Sequence, residues 1–187
     1  MTIAFVRHGQ TEWNATGRLQ GSSDIPLNET GREQARQAVA ILADGGWEVI
    51  VSSPLARARE TASIIAAGLG IELGRSYDLL IERDYGEAEG VTDADALLRW
   101  PDHQYPGLEA LPSVVARGTA ALQQISAEYG ERNIVVVCHG TIIRYTLAAL
   151  AGRKVEQITN GSVSTLDLVD GRWRVLTVNG ELLDAIV

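Results

Sequence analysis

The chain alternates short runs of apolar residues with longer amphipathic segments. Four short runs are typical of strands buried in a parallel sheet: residues 3–6, 49–51, 77–81 and 134–137. Apolar residues spaced three and four positions apart predict helices between these runs. The first predicted helix follows an N-cap at Thr30. The others cover residues 55–67, 114–129 and 141–150. This alternation predicts a three-layer α/β/α sandwich with a mostly parallel central sheet.

Local residues indicate where several of these elements begin and end. Thr30 followed by Glu33 resembles a capping box, and the glycines at 45–46, 68 and 130 are expected to end helices. Residues 164–169 and 173–178 alternate in hydrophobicity and predict a hairpin that turns at Asp170-Gly171. Residues 92–112 predict one short helix and then a loop. With no repeat or linker, residues 1–187 are expected to form a single domain.

Composition limits the classes of function. The 187 residues carry a formal net charge of −8, which argues against binding to nucleic acid or to an anionic membrane. A small anionic ligand requires a few basic residues gathered in one place. One cysteine excludes an intramolecular disulfide and a cysteine-rich zinc site. The first apolar run lacks a basic flank and breaks at Arg7, so neither a signal peptide nor a membrane anchor is predicted, and a cytoplasmic location is expected.

Chemically versatile side chains follow the predicted strands. In parallel sheets ligands bind beyond the carboxyl ends of the strands. The residues at those positions are Arg7-His8-Gly9, Ser52-Ser53-Pro54 with Arg57, Glu82, and Cys138-His139-Gly140. Two imidazoles and two guanidiniums around one point suit phosphate oxygens, a neutral histidine can attack phosphorus, and a carboxyl group can protonate the leaving group. The residues alone therefore suggest metal-free phosphoryl transfer.

These segments also carry a resemblance to a known family. Five blocks, in order along the chain, are similar to those of the histidine phosphatase superfamily, also called the phosphoglycerate mutase-like family. They are Arg7-His-Gly-Gln-Thr-Glu-Trp-Asn14, Gly21-Ser-Ser-Asp-Ile-Pro-Leu27, Ser52-Ser-Pro-Leu-Ala-Arg-Ala58, Glu82-Arg-Asp-Tyr-Gly86 and Cys138-His-Gly140. The resemblance covers most of the chain and implies a phosphoglycerate mutase-like fold.

The resemblance implies catalytic roles for five residues. His8 is expected to take up the phosphoryl group and to pass it to water. Glu82 is expected to protonate the leaving group and then to activate that water. Three residues are expected to hold the phosphoryl group: Arg7, Arg57 and His139.

The resemblance also implies a substrate pocket that needs no metal or other cofactor. Asn14 and the Gly140 backbone are expected to complete the pocket, and Thr11, Gln20 and Gly21 occupy positions where relatives touch the substrate. The expected partner is a small phosphorylated metabolite. Sugar phosphates, phosphoglycerates, nucleotide-like monoesters and α-ribazole phosphate all fit relatives of this size. A homodimer is compatible with the sequence.

Phosphatase activity is favoured over mutase activity. Phosphoglycerate mutases usually carry an insertion that brings basic residues around the substrate and closes the site to water. Here the segment between Glu82 and Val137 is short, and its basic residues are Arg83, Arg99, Arg117 and Arg132, with no lysine. Water is therefore expected to reach a phosphohistidine. Phosphoglycerate mutase nevertheless stays an alternative, because residues 82–86 are mutase-like.

Two further alternatives come from other classes of protein. Cys138 and Arg144 have the Cys-x5-Arg spacing of cysteine-based phosphatases, in which a loop wraps the phosphate and lowers the thiol pKa. Against this reading, Tyr145 stands where those enzymes usually carry Ser or Thr. A catalytically silent module that binds a phosphorylated ligand is the other alternative. It is disfavoured because both histidines, Arg57 and the acid are all retained.

Overall fold

The computed structural model describes residues 1–183, which are organised around a six-stranded sheet. In chain order the strands are β1 (Thr2–Arg7), β2 (Val49–Ser52), β3 (Glu72–Ser76), β4 (Ile134–Cys138), β5 (Val163–Val169) and β6 (Arg172–Val175). Their order across the sheet is β3-β2-β4-β1-β5-β6. The first four strands are parallel to one another, and β5 and β6 are antiparallel additions at one side. The predicted mostly parallel sheet is thus confirmed.

Helices cover both faces of this sheet. They are α1 (Glu12–Ala15), α2 (Glu29–Leu42), α3 (Ala56–Leu69), α4 (Asp93–Arg99), α5 (Leu111–Tyr129) and α6 (Gly140–Ala151). Alternate residues of β1 point to opposite faces, so that Ala4 packs with α2 and α3, whereas Phe5 packs with α5 and α6. These two apolar clusters confirm the three-layer sandwich. No described helix is long and apolar enough to cross a membrane.

The predicted strand at residues 77–81 is wrong. The edge strand β3 lies just before it, and residues 77–81 contain an extended Tyr77 followed by a 3₁₀ turn at Asp78–Leu80. Tyr77 and Leu80 are buried in the core cluster that includes α5. Because an edge strand has one neighbour and an exposed side, the polar Glu72–Ser76 forms it, and the apolar residues after it fill the core instead.

Several predicted boundaries also change. Asn28, not Thr30, caps α2, since its Oδ1 accepts a hydrogen bond from Gly31 N at 2.9 Å. Helix α3 continues past Gly68, which packs against Val39 of α2, and ends at Gly70 in the left-handed conformation with φ 67°.

The last part of the described chain differs from the predicted hairpin in one respect. Strands β5 and β6 pair around the turn at residues 170–171, as predicted. The second strand ends at Val175, however, and residues 177–178 form β7 (Thr177–Val178), which pairs with β8 (Glu181–Leu182). The short helix and loop predicted for residues 92–112 are confirmed by α4 and the segment after it, although α5 begins at Leu111.

Candidate active site

A cleft of about 440 Å³ opens at the carboxyl ends of β1 and β4. Its wall includes Arg7, Asn14, Arg18, Gln20, Glu82, Arg83, Gly140, Arg144 and Asn160. Three of the five expected catalytic residues do not line this cleft: His8, Arg57 and His139 are almost completely buried. The residues that the sequence places after separate strands therefore meet at one edge of the sheet, as expected for parallel strands.

The main chain orients the imidazole ring of His8. His8 follows β1, and its backbone N–H donates to the carbonyl of Cys138 at 3.0 Å. Its Nδ1 lies 2.7 Å from the Gly9 carbonyl oxygen. Because a carbonyl oxygen only accepts hydrogen bonds, Nδ1 carries the proton and Nε2 keeps its lone pair. This is the tautomer in which Nε2 can act as a nucleophile.

The surroundings also keep the His8 ring neutral. Burial, and then the positive charges of Arg57 and Arg7, lower its pKa well below the ordinary value of 6.5. Asn160, in the segment before β5, also holds this residue, since its Nδ2 donates to the His8 carbonyl at 3.0 Å. The ring is therefore neutral and fixed in place.

The guanidinium of Arg57 lies against the His8 ring. Arg57 is fully buried in the first turn of α3, and its Nε lies 3.3 Å from His8 Nε2. Its two terminal nitrogens donate to the carbonyls of Ser23 at 2.8 Å and Gly21 at 2.7 Å. Burial lowers the pKa of Arg57 to about 10, so the group stays charged at neutral pH.

Two buried nitrogen atoms around this point have no hydrogen-bond partner. Among the buried side-chain polar atoms of residues 1–183, only Arg7 Nε, His139 Nδ1 and Thr146 Oγ1 lack one. Arg7 is otherwise fixed by the Ile158 carbonyl, to which Nη1 donates at 2.6 Å. The ring of His139 lies 5.1 Å from that of His8. Since buried polar atoms are nearly always paired, the unpaired nitrogens of His139, next to His8, and of Arg7, on the cleft wall, indicate a place for a ligand.

His139 is held on its other side by a serine. Its Nε2 lies 2.8 Å from Ser53 Oγ, at the carboxyl end of β2. Burial and the neighbouring arginines lower the pKa of His139 well below 6.5. Burial also lowers the pKa of Arg7, against the opposing effect of Glu82. Ser53 thus orients the predicted site residue His139. Its position after a strand indicated that it lies near the site, but its residue type did not indicate this role.

Glu82 lies at the amino end of α6. It comes after the 3₁₀ turn, so the prediction that it follows a strand is wrong, yet Glu82 still lines the cleft. One oxygen accepts hydrogen bonds from Arg83 N at 2.8 Å and Ile142 N at 3.1 Å, and the other accepts from Thr141 N at 2.9 Å. Three main-chain donors therefore fix the position of this acid.

The predicted binding residues divide into two groups. Asn14, Gln20 and Gly140 line the cleft. Thr11 is fully buried behind it, where it caps α1 and contacts the Gln20 amide. Gly21 contacts Arg57 through its carbonyl and leaves no room for a side chain beside Glu89 and Arg83, so both Thr11 and Gly21 support the site from behind.

Gln20 links the wall of the cleft to Arg57. In the amide orientation that satisfies both neighbours, its nitrogen donates to Thr11 Oγ1 and its oxygen accepts from Arg57 Nε at 2.9 Å and Nη1 at 3.1 Å. Gln20 therefore positions the guanidinium as well as lining the cleft.

The wall of the cleft also includes polar residues for which the sequence indicated no role in binding phosphate, among them Arg18, Arg83 and Asn160. Asn160 lies just before β5 in the segment Thr159-Asn-Gly-Ser162, a turn-like composition that gave no indication of a site.

The geometry disfavours a cysteine nucleophile. Cys138 is the last residue of β4 and lies fully buried in the apolar cluster that packs against α5 and α6. Burial raises the pKa of its thiol, whereas a reactive cysteine needs a lowered one. Arg144 is bound to the Val155 carbonyl at 2.9 Å. The alternative that rests on the Cys138–Arg144 spacing is therefore not supported.

Residues 3–181 match the family model described as histidine phosphatase superfamily, branch 1. The chain belongs to the histidine phosphatase superfamily. Among its superfamily relatives, it is 35% identical over 181 residues to the uncharacterized phosphatase PhoE of Bacillus subtilis, covering 95% of this chain and 93% of that protein. It is 39% identical over 190 residues to phosphoglycerate mutase-like protein 4 of Arabidopsis thaliana, covering 92% and 82%.

A solved structure supports the same assignment at the level of the fold. The chain superposes on a mycobacterial glucosyl-3-phosphoglycerate phosphatase in complex with VO3, with a TM-score of 0.87 and 30% sequence identity. The superposition covers 95% of this chain and 98% of that one. The phosphoglycerate mutase-like α/β fold expected from the motifs is thereby confirmed. The names of these relatives include both phosphatases and a mutase-like protein, so membership of the histidine phosphatase superfamily does not by itself select the reaction.

Proposed function

We propose that the protein is a phosphomonoesterase that hydrolyses small phosphorylated metabolites, without a metal ion, through a phosphohistidine intermediate on His8. The observation that carries this proposal is the state of the His8 ring. Nε2 keeps its lone pair because Nδ1 donates to the Gly9 carbonyl, and burial keeps the ring neutral. Arg7 Nε and His139 Nδ1 are buried and unpaired, and each can offer a donor to a phosphoryl oxygen.

The first step transfers the phosphoryl group to the enzyme. His8 Nε2 forms a bond to phosphorus while the bond from phosphorus to the ester oxygen breaks, and Glu82 gives its proton to the departing alkoxide. Positive charge from Arg7 and Arg57 stabilises the negative charge on the equatorial oxygens in the transition state. Arg57 Nε, which contacts His8 Nε2 at 3.3 Å, then turns its interaction from the ring to the phosphoryl group.

The second step returns the enzyme to its starting state. The Glu82 carboxylate takes a proton from a water molecule as the water oxygen bonds to phosphorus, the bond to His8 Nε2 breaks, and phosphate leaves. Asn14 is suited to bind a phosphoryl oxygen, because its Oδ1 already accepts from Thr11 N and Asn160 Nδ2 and its amide nitrogen remains available. Both steps are transfers of a phosphoryl group and a proton, so they balance without an oxidant or a reductant.

Hydrolysis is favoured over transfer to a second substrate. Of the four arginines between Glu82 and Val137, only Arg83 lines the cleft. Arg117 is engaged with Glu109 at 2.8 Å, and Arg132 lies near Glu48 and Glu72. The segment thus supplies one cleft arginine rather than a basic cover, which supports access of water to the phosphohistidine.

The test compares substitutions at the two candidate nucleophiles. We expect His8→Ala to abolish release of phosphate from an aryl phosphate, Cys138→Ser to retain most of it, and added EDTA to leave it unchanged. Incubation with a 32P-labelled monoester should label the wild type with an acid-labile phosphate, as expected for phosphohistidine, and should not label His8→Ala.

Other results would replace the proposal with a specific alternative. Activity that survives His8→Ala and is lost in Cys138→Ser would establish the cysteine mechanism. Loss of activity with EDTA would contradict metal-free chemistry. No turnover of any monoester between about pH 4 and pH 8, with phosphate still bound, would indicate a silent binding module. Interconversion of 2- and 3-phosphoglycerate faster than release of phosphate would indicate a mutase.

A further inference from the structure

A fully buried threonine on α3 contacts the backbone beside His8. Thr61 lies one turn after Arg57, and its hydroxyl group makes two hydrogen bonds. It donates to the Arg57 carbonyl at 2.7 Å and accepts from the backbone N–H of Gly9 at 3.2 Å. Because the carbonyl uses the hydroxyl proton, an oxygen lone pair is left to face Gly9. One side chain thus joins the segment after β1 to the helix that carries Arg57.

The peptide between His8 and Gly9 is held at both of its polar groups. Its N–H belongs to Gly9 and donates to Thr61, and its carbonyl belongs to His8 and accepts from Asn160 Nδ2 at 3.0 Å. The next carbonyl along the chain, that of Gly9, lies 2.7 Å from Nδ1 of the His8 ring. A rotation of this peptide would therefore move the acceptor that selects the tautomer of the ring.

Helix α2 holds the same segment through other contacts. A side-chain carbon on Gly9 would lie 2.1 Å from the Gly31 carbonyl oxygen, so the two backbones touch directly. The backbone N–H of Gln10 donates to Gln34 Oε1 at 2.8 Å. Neither contact uses the Gly9 N–H, and Thr61 supplies its acceptor.

The hydroxyl group is the feature that this position requires. Valine has nearly the shape of threonine but no lone pair, so it would leave the buried Gly9 N–H without an acceptor. Serine keeps the hydroxyl group and loses only a methyl group. An unpaired buried donor is costly, and rotation of the peptide towards another acceptor relieves that cost.

We propose that Thr61 is a positioning residue for the reaction: its hydroxyl group holds the His8–Gly9 peptide so that the Gly9 carbonyl keeps the ring proton on Nδ1 and leaves Nε2 free to attack phosphorus. This deepens the proposed function and rests on it. Thr61 does not line the cleft, so it acts through the His8 ring rather than on the substrate. The same hydroxyl binds the Arg57 carbonyl, and Arg57 Nε lies 3.3 Å from the nucleophilic nitrogen.

The kinetic test removes the hydroxyl group from two side chains of different size. Thr61→Val is compared with the wild type, and Thr61→Ala with Thr61→Ser, by turnover of p-nitrophenyl phosphate. We expect kcat/KM to be about tenfold lower without the hydroxyl group in both comparisons, because loss of one buried hydrogen bond has this order of effect. Thr61→Ser should restore kcat/KM to within about threefold of the wild type.

A spectroscopic measurement reports the ring itself. In protein labelled with 15N at histidine, two-bond 15N–1H spectra distinguish a ring nitrogen that carries a proton from one that carries a lone pair. The spectrum of His8→Gln assigns the signals of His8 by their loss. At neutral pH the Nε2 resonance should move towards that of a protonated nitrogen in Thr61→Val and Thr61→Ala, and should stay in place in Thr61→Ser.

Thr146→Val is the matched control. Thr146 is a fully buried threonine on α6, and within residues 1–183 its Oγ1 has no hydrogen-bond partner. The substitution therefore removes a buried hydroxyl group without breaking a bond, at a position that packs against Gly118 of α5. Both kcat/KM and the His8 resonances should match those of the wild type.

The outcomes separate this inference from the proposed function. Thr61→Val with kcat/KM within about twofold of the wild type overturns the inference while His8-dependent hydrolysis stands. A loss of activity with an unchanged Nε2 resonance also overturns it, because the hydroxyl group would then act elsewhere than on the ring. Equal losses in Thr61→Ser and Thr61→Ala assign the effect to the methyl group and overturn it as well.

Two further results are decisive. Failure of both hydroxyl-free variants to fold assigns Thr61 to the stability of the fold and overturns its role in positioning the ring. Release of phosphate that survives His8→Ala overturns the proposed function itself.

Discussion

Replacing Glu82 with glutamine tests the acid in the proposed reaction. The side chain keeps its shape but loses its proton, and its amide meets the same three backbone donors. Its oxygen can accept from Arg83 N and Ile142 N, as the carboxylate does at 2.8 and 3.1 Å. Its NH2 group then faces Thr141 N–H, which at present donates at 2.9 Å. One hydrogen bond becomes a contact between two donors, which should lower the free energy of unfolding by about 1–3 kcal/mol.

The kinetic effect should depend on the leaving group. An alkoxide needs a proton as it departs, and a positioned general acid accelerates this by about 10² to 10⁴, or about 3–5 kcal/mol of activation free energy. A nitrophenolate is stable without a proton. In Glu82→Gln, kcat/KM for glycerol 3-phosphate should therefore fall by about that factor, whereas kcat/KM for p-nitrophenyl phosphate should fall by less than about tenfold.

Rapid mixing with p-nitrophenyl phosphate reports the second step. Without the Glu82 carboxylate, no base takes the proton from water, so phosphohistidine should accumulate and nitrophenolate should appear in a burst close to one per enzyme. Glu87→Gln is the control, because Glu87 is an exposed acid in the same loop. Its kinetics should match those of the wild type.

Two results would refute this reasoning. Equal losses of kcat/KM for the alkyl and the aryl ester would mean that Glu82 does not protonate the leaving group. A steady rate without a burst, at a reduced kcat, would mean that Glu82 does not activate the water. Urea unfolding of the variant, run at the temperature of the assay, ensures that the protein compared is folded.

Three further predictions concern pH, the support of His8 and the helix contact behind the site. Because burial lowers the pKa of His8 and His139 below 6.5, the unfolded chain binds protons there that the folded protein does not. The free energy of unfolding, measured in urea, should thus keep its full value above about pH 6.5 and fall as the pH is lowered towards about 5. Its slope against pH should be smaller in His139→Gln, and a free energy that does not change with pH contradicts the prediction. Asn160→Asp exchanges the donor to the His8 carbonyl for an acceptor and should lower kcat/KM about tenfold with unchanged circular dichroism, so activity within about twofold of wild type would refute it. In Gly118→Ala the new methyl group on α5 collides with Thr146 on α6. The free energy of unfolding in urea should therefore fall by about 1–3 kcal/mol, whereas the same substitution at an open helical site would raise it. The kcat/KM of the folded protein should not change.

The position of the site could be predicted because the carboxyl ends of parallel strands meet at one edge of the sheet. Residues after β1 and β4 are adjacent in space, since these strands pair directly, with Arg7 opposite Cys138. The apolar runs that form the strands are visible in the sequence, and so are the polar residues that end them. The same reasoning failed at residues 77–81. A buried turn and a strand bury apolar residues in similar numbers, and they differ only in whether a neighbouring strand is available for pairing.

The supporting residues could not be predicted in the same way. Thr11 and Gly21 resemble substrate contacts by position, yet neither lines the cleft: Thr11 contacts the Gln20 amide, and the Gly21 carbonyl accepts from Arg57. Asn160 lies 152 residues from the His8 carbonyl that it supports. No local pattern specifies a hydrogen bond over that separation.

The sequence by itself determined the alternation of strands and helices, the blocks that mark the histidine phosphatase superfamily, and the kinds of side chain available for phosphoryl transfer. Only the tertiary structure decided the tautomer of His8, the unpaired nitrogens of Arg7 and His139, and which arginines face the cleft. The physical reason is that local residues set the elements, whereas burial and hydrogen bonding at the site arise between elements far apart in the chain. The net charge of −8 is likewise a property of composition, but the concentration of positive charge at one cleft is a property of packing.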